Sequence, residues 1–247
     1  VTTVFVTGST GKAGKYIVKD LLDNGYDVVG VDRNDPDGVG VSRSKGYTFK
    51  IAEVTDFGQV VSAMKGCDTV IHMAAIPNPR VGPEHEVFRV NMMTNWNVLE
   101  AADILGIGKI VMASSVNAVG AVFSKGITPR PYFPVDEDHP TFSEDSYSLS
   151  KWLGEEMADA FVRRRSGKVQ IASMRFHGLM ERDRQIALNA EPEPRGGTEI
   201  NAKHFWGWTD IEEAARACVL ALEADFGGHE AFSSTVNILQ LTSQPNR

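Results

Sequence analysis

Short apolar runs alternate along the chain with longer stretches in which apolar residues return every three or four positions. Residues 2–7 (TTVFVT) are apolar and β-rich, and 12–24 carries Ala13, Ile17, Leu21 and Leu22 at helical spacing. A second strand is predicted at 26–32 (YDVVGVD), entered through the Asn24-Gly25 turn. Residues 33–44 are polar and glycine-rich and read as a loop, 47–52 predicts a third strand, and Asp56 can cap a helix running to about Lys65. Further strands are predicted at 68–73, 109–114, 169–174 and 234–239, and helices at 87–105, 143–165 and 209–223, the last capped by Thr209 or Asp210. This alternation implies an α/β chain built on a doubly wound parallel sheet. One shift in composition, at 181–203, is rich in Pro, Gly and Arg and predicts an excursion from the sheet, mobile or covering the substrate.

The 247 residues, 42% of them hydrophobic, suffice for one large domain or a domain with a small appendage. A net charge of −7 opposes a nucleic-acid partner. The run Arg163-Arg164-Arg165 suits a helix end, where cations meet the negative pole of the dipole. Cys67 and Cys218 have neither metal-type nor disulfide-type spacing, so no metal site and a reducing, cytoplasmic setting are expected. No stretch approaches a membrane span, and the chain enters its first strand without a signal-peptide pattern.

The glycines at 8, 11 and 14 follow a strand and open a helix, the context a dinucleotide fingerprint requires. Gly8 permits the tight turn, Gly11 lets the backbone approach a pyrophosphate, and Gly14 lets helix and strand pack closely. The whole turn, with Ser9, Thr10, Lys12 and Ala13 between the glycines, is a candidate cofactor contact on a Rossmann-type sheet. Asp32, at the end of the second strand, can accept from adenosine ribose hydroxyls and repel a 2′-phosphate, which favours NAD over NADP. Arg33 beside it can tolerate such a phosphate. Glu53 and Val54 end the third strand and can border the adenine, or Glu53 is a solvated carboxylate there.

Tyr147 and Lys151 are four residues apart in a predicted helix and share one face. A free tyrosine titrates near pH ~10, so a base of this type needs help near neutrality. The Lys151 ammonium is expected to favour the phenolate and to bond the nicotinamide ribose. Tyr147 then serves as general base on an alcohol or general acid on a carbonyl. Ser114 and Ser115 end the fifth predicted strand, at the sheet edge where ligands bind, and Ser115 is the better candidate to share the substrate oxygen.

These motifs resemble the short-chain dehydrogenase/reductase superfamily, specifically its extended branch, the NAD-dependent epimerase/dehydratase family. The likeness runs from Val4 to Arg175, with weaker echoes at 208–223. It includes the glycine turn, His72-Met73-Ala74-Ala75, Asn91 with Asn97-Val98-Leu99-Glu100-Ala101-Ala102, Ser114-Ser115 with Gly120, and Tyr147, Ser150, Lys151, Gly154 and Glu155. The resemblance implies a catalytic Ser115, Tyr147 and Lys151, and cofactor contacts at Met73, Ala74, Ala75 and Asn91. It implies an NAD-binding domain at 1–175 and a small substrate-binding region, not an independent domain, at 176–247. A homodimer through the two long helices is common in the family.

Departures from the family pattern bear on the substrate. Val116-Asn117 stands where nucleotide-sugar dehydratases carry an acid pair, and Phe176-His177-Gly178 replaces the usual Asn and Gly-Pro. The compact end resembles uronate dehydrogenases, in which an arginine placed as Arg175 binds the substrate carboxylate. Asn117 and His177 are the remaining polar candidates for substrate contact; a lone histidine is as readily structural. Ile76 to Pro83 can rim the pocket, and Phe205, Trp206 and Trp208 read as packing more than as a sugar platform. An NAD-dependent oxidoreductase of a sugar or sugar acid is expected. A nucleotide-sugar 4-epimerase with tightly held NAD is the alternative, and a non-catalytic dinucleotide-sensing regulator a third.

Overall fold

A computed structural model describes residues 1–35, 41–126, 130–189, 202–234 and 236–237 of the chain. Its main sheet has eight strands: β1 (Thr3–Thr7), β2 (Asp27–Asp32), β3 (Val41–Ser44), β4 (Tyr47–Ile51), β5 (Thr69–His72), β6 (Lys109–Ser115), β7 (Gln170–Phe176) and, after two short strands, β10 (His229–Ser234). They lie in the order β10-β7-β6-β5-β1-β2-β4-β3. Every neighbouring pair is parallel except β3 with β4. A small second sheet joins β8 (Leu179–Met180), β9 (Gly207–Asp210) and β11 (Val236–Asn237).

Strand periodicity makes two cores. In β1, Phe5 faces one side and Val4 and Val6 the other, all three inaccessible to solvent. Phe5 packs with Val70, Ile110 and Ile171 under α2 (Phe57–Met64), α3 (Glu84–Ile104) and α4 (Ser146–Arg164). Val4 and Val6 pack with Ile71 and Val111 under α1 (Lys12–Asp23) and α6 (Ile211–Glu223), through Ile17, Leu21, Cys218 and Val219. Burial on both faces explains the continuous apolar runs. Strand order reverses at β1, between β2 and β5, so a crevice opens beyond the carboxyl ends of these strands.

The doubly wound parallel sheet is thus as expected, with corrections at its margins. Asp145 accepts from the Ser148 N–H and starts α4 at Ser146, not at 143. Asp210, not Thr209, caps α6, and the residues just before it form β9. The expected loop 33–44 contains β3, with 36–40 outside the described residues. The last strand, expected at 234–239, is placed too late: β10, ending at Ser234, is the strand that pairs parallel with β7, Val236–Asn237 form β11, and 235 and 238–239 lie outside the described residues. β10 is polar and half-exposed, so it carries no apolar run. The excursion at 181–203 begins with α5 (Arg182–Asn189), and 190–201 lie outside the described residues. Arg164 and Arg165 close α4 on Glu100 and Asp103 of α3. Among the described residues no helix is long and apolar enough to cross a membrane, and no cluster of His, Cys, Asp and Glu could hold a metal.

Candidate active site

A cavity of about 570 Å³ follows the crevice from the glycine turn to Tyr147. At one end Gly8 turns with φ of +66°, and a Cβ there would come within 3.0 Å of the Ala74 nitrogen. A Cβ on Gly14 would fall 2.0 Å from the Gly8 carbonyl oxygen, so helix α1 can approach the turn this closely only through glycine. Gly11 is the N-cap of α1, whose first turn carries no acidic residue. The start of this helix lines the cavity, and the free N–H groups and positive pole of a helix N-terminus suit a dinucleotide pyrophosphate.

Lys12 and Ala13 line the cavity with the three glycines. Ser9 and Thr10 do not. Ser9 is buried, and its Oγ lies 2.8 Å from where a Cβ on Gly30 would stand. Thr10 donates from its hydroxyl to Asp32 at 2.7 Å and from its backbone N–H at 3.3 Å. These bonds hold the Asp32 carboxylate at the cavity wall, with lone pairs to spare for ribose hydroxyls. Arg33, Glu53 and Val54 line the same end. One Glu53 oxygen already accepts from the hydroxyl and the N–H of Thr55.

Met73, Ala74 and Ala75 form the facing wall. The Thr7 hydroxyl accepts from the N–H groups of Met73 and Ala74, each at 3.1 Å, and therefore donates its one proton to His72 Nδ1 at 2.6 Å. His72 must then carry its proton on Nε2, which donates to Asn95 Oδ1 at 3.1 Å. Burial, with the Lys151 charge nearby, pushes this imidazole down to about 3, so it stays neutral. Asn91, expected at the cofactor, does not line the cavity. Its amide accepts from Ile76 N–H and donates to Ile76 O and Ser150 Oγ, tying the loop after β5 to α4. Its four-way bonding capacity suits a brace better than a ligand.

At the other end Tyr147 is 7% exposed, on the first turn of α4. Its ring meets Phe123 edge-to-face at 5.9 Å, and Ser115 hydrogen-bonds its hydroxyl. Ser115 Oγ also accepts from the backbone and side-chain nitrogens of Asn117, both at 3.1 Å. Ser114 instead donates to Glu155, which leaves Ser115 as the serine on the phenol. Lys151 donates to the Ala113 carbonyl at 2.6 Å, and its Nζ lies 5.7 Å from the Tyr147 ring centre.

The expected lowering of the phenol by this ammonium is corrected by the structure. Burial dominates and pushes Tyr147 up to about 12, with only the Ser115 bond opposing. Burial also pushes Lys151 down to about 8, against the pull of Glu155. The amine keeps two donors beyond the Ala113 bond.

Of the candidates for substrate contact, Asn117 and His177 line the cavity, but Arg175 does not. Its guanidinium donates to both oxygens of Glu155, at 3.0 and 2.7 Å, and to the Glu137 carbonyl at 2.9 Å. Both partners are over nine-tenths buried, so this arginine fastens β7 to α4 and is not free for a carboxylate. Sequence reasoning missed Phe123 and His204, which also line the cavity. Neither stands in a motif; only the return of the chain after β8 brings His204 to His177.

Comparison with known proteins places this geometry. The model of the NAD dependent epimerase/dehydratase family matches residues 4–238. The chain is 35% identical over 164 residues to a protein of Methanocaldococcus jannaschii named "Putative UDP-glucose 4-epimerase", covering 65% of this chain and 51% of that one. It is 34% identical over 158 residues to the NAD-dependent glucose-6-phosphate dehydrogenase of Haloferax volcanii, covering 62% of this chain and 60% of that one. The chain thus spans little more than half the length of these relatives. Its fold resembles the glucuronic acid dehydrogenase of Chromohalobacter salexigens, with a TM-score of 0.73 at 22% identity over 96% of this chain and 78% of that one.

Proposed function

The chain belongs to the NAD dependent epimerase/dehydratase family, and from that premise we propose that it moves hydride between NAD and a hydroxyl-bearing carbon of a sugar or sugar acid. The observation that carries the reading is a buried phenol, bonded by Ser115 and one helical turn from Lys151, at the far end of a cavity that begins at a glycine cradle. NAD, when bound, supplies the hydride acceptor. Gly8, Gly11 and Gly14 would hold its pyrophosphate, Asp32 its adenosine ribose, and the spare donors of Lys151 its nicotinamide ribose.

Tyr147 acts as general base on the substrate hydroxyl, and Ser115 shares that oxygen and holds its position. A phenol this high is a poor base alone, and the Ser115 bond favours its ionised form. A cation placed against it in the loaded site would complete the shift. In this reading residues 1–175 supply the cofactor and acid–base groups, and the substrate-binding region expected at 176–247 contributes His177 and His204 to one wall.

A second reading, an epimerase that returns the hydride to the opposite face of a transient ketone, draws support from the Methanocaldococcus relative. The two separate on one assay. NADH accumulating in proportion to sugar consumed marks a dehydrogenase, and a sugar isomer formed without NADH marks an epimerase. Neither product, from protein that binds NAD, would contradict both.

A further inference from the structure

We propose that Glu155 is a positioning residue for this reaction: its carboxylate holds α4 against the end of β6 and balances the Lys151 ammonium. This rests on the oxidoreductase or epimerase reading above. Tyr147, Lys151 and Glu155 follow one another at four-residue intervals along α4, so they share one face of the helix. Each meets one of three consecutive residues at the end of β6. Tyr147 is bonded by Ser115, Lys151 donates to the Ala113 carbonyl at 2.6 Å, and Glu155 accepts from the Ser114 hydroxyl. The first two contacts involve the groups that would act on the substrate oxygen and the nicotinamide ribose. The third does neither, for Glu155 is not among the residues that line the cavity.

Ser114 stands between the two residues that meet Lys151 and Tyr147, so its bond to Glu155 fixes the strand at the point from which both are set. Arg175, opposite Ser114 in the register of β6 and β7, donates to both oxygens of the same carboxylate. Ser114, Glu155 and Arg175 are each less than a tenth exposed, where such bonds are strong and a missing partner is costly. The charge matters as well as the bonds. Burial pushes Lys151 down to about 8, and Glu155 is the charge that opposes it. The other titratable groups at this place do not: His72 of β5 is neutral, Tyr147 is a neutral phenol on which Asp145 acts, and Arg175 of β7 is a cation. Without the Glu155 charge, Arg175 and Lys151 would both lose a shared anion.

Two variants separate the bond from the charge. Ser114→Ala removes the bond and keeps the charge, whereas Glu155→Gln keeps an acceptor for Ser114 and removes the charge. The whole chain is assayed with NAD on glucose, galactose, their uronic acids and the UDP conjugates of each, for NADH and for sugar isomers. The Lys151 ammonium is titrated separately, without NAD, by NMR of protein carrying isotope-labelled lysine. Ser114→Ala should lower kcat by roughly ten-fold or more, with the sugar KM little changed and the Lys151 midpoint still near 8. Glu155→Gln should move that midpoint down by about one unit or more. A merely structural bond would lower Tm and leave the folded variants with wild-type kcat and midpoint. An unchanged kcat in Ser114→Ala, or an unmoved midpoint in Glu155→Gln, would overturn the inference and leave the oxidoreductase reading standing. Where Glu155→Gln fails to fold, the kcat of Ser114→Ala decides alone. No product from the wild type with any of these sugars, with NAD bound, would remove that reading and the inference with it.

Discussion

In the proposed reaction Tyr147 and its neighbours would carry the chemistry. Replacing Tyr147 with Phe removes the proton-transfer group but keeps the ring against Phe123. Turnover should fall by roughly 10²-fold or more while NAD affinity, read by calorimetry, stays near normal. At the opposite end, Asp32→Ala should weaken NAD and relax the rejection of NADP, because in the proposed site the carboxylate that Thr10 holds in place would repel a 2′-phosphate. An unchanged cofactor preference would move that role to Arg33. These groups were legible in the sequence because a glycine turn, a strand-end acid and a four-residue Tyr–Lys spacing are local patterns. Arg175 was misread because its neighbour is not local: Glu155 lies 20 residues away and reaches it only when β7 packs on α4. The phenol was misread for a similar reason. Spacing announces an ammonium, but not that burial of both groups outweighs it.

At the scale of elements, buried polar groups fasten the walls of the cavity. Thr7, His72 and Asn95 join β1 and β5 to α3, and Asn91 joins the following loop to α4. Glu155 and Arg175 join α4 to β7, and Glu137 carries the linkage to the Ser233 N–H of β10. Removing one side of a buried pair leaves the other charge uncompensated, so Arg175→Ala should lower stability by about 3–5 kcal/mol in denaturant unfolding. Under native conditions it should change the sugar KM little; a large KM change with stability intact would return Arg175 to the substrate. Gly14→Ala puts a methyl onto the Gly8 carbonyl and should weaken NAD binding and lower Tm together. Helix and strand existence followed from apolar periodicity, whereas their ends followed from caps such as Asp145 and Asp210, and the polar edge strand β10 had no period to read.

For the molecule as a whole, the doubly wound sheet places one reversal of strand order at β1, and both legible motifs converge there although 140 residues separate them in sequence. Its stability should depend on acid through its buried imidazoles. His72 and His177 are neutral in the fold, near 3 and 4 against an ordinary 6.5, so the unfolded chain binds more protons below 6.5. Stability contributed by their neutral forms is complete above that value and is lost as pH falls from 6.5 toward 4 and 3. Denaturant midpoints across this range should decline, and less steeply in His72→Gln. Met93 and Trp96 are exposed on α3; a homodimer through the long helices, as the family resemblance implies, would appear as a doubled mass in light scattering, and a monomer mass would contradict it.

The most direct measurement is turnover of the active sugar with NAD by the wild-type protein and by Tyr147→Phe, with NAD binding followed in the same samples. Hydride transfer with Tyr147 as acid–base group requires product from the wild type and a loss of roughly 10²-fold or more in the variant at equal NAD affinity. Equal rates in the two proteins would contradict it.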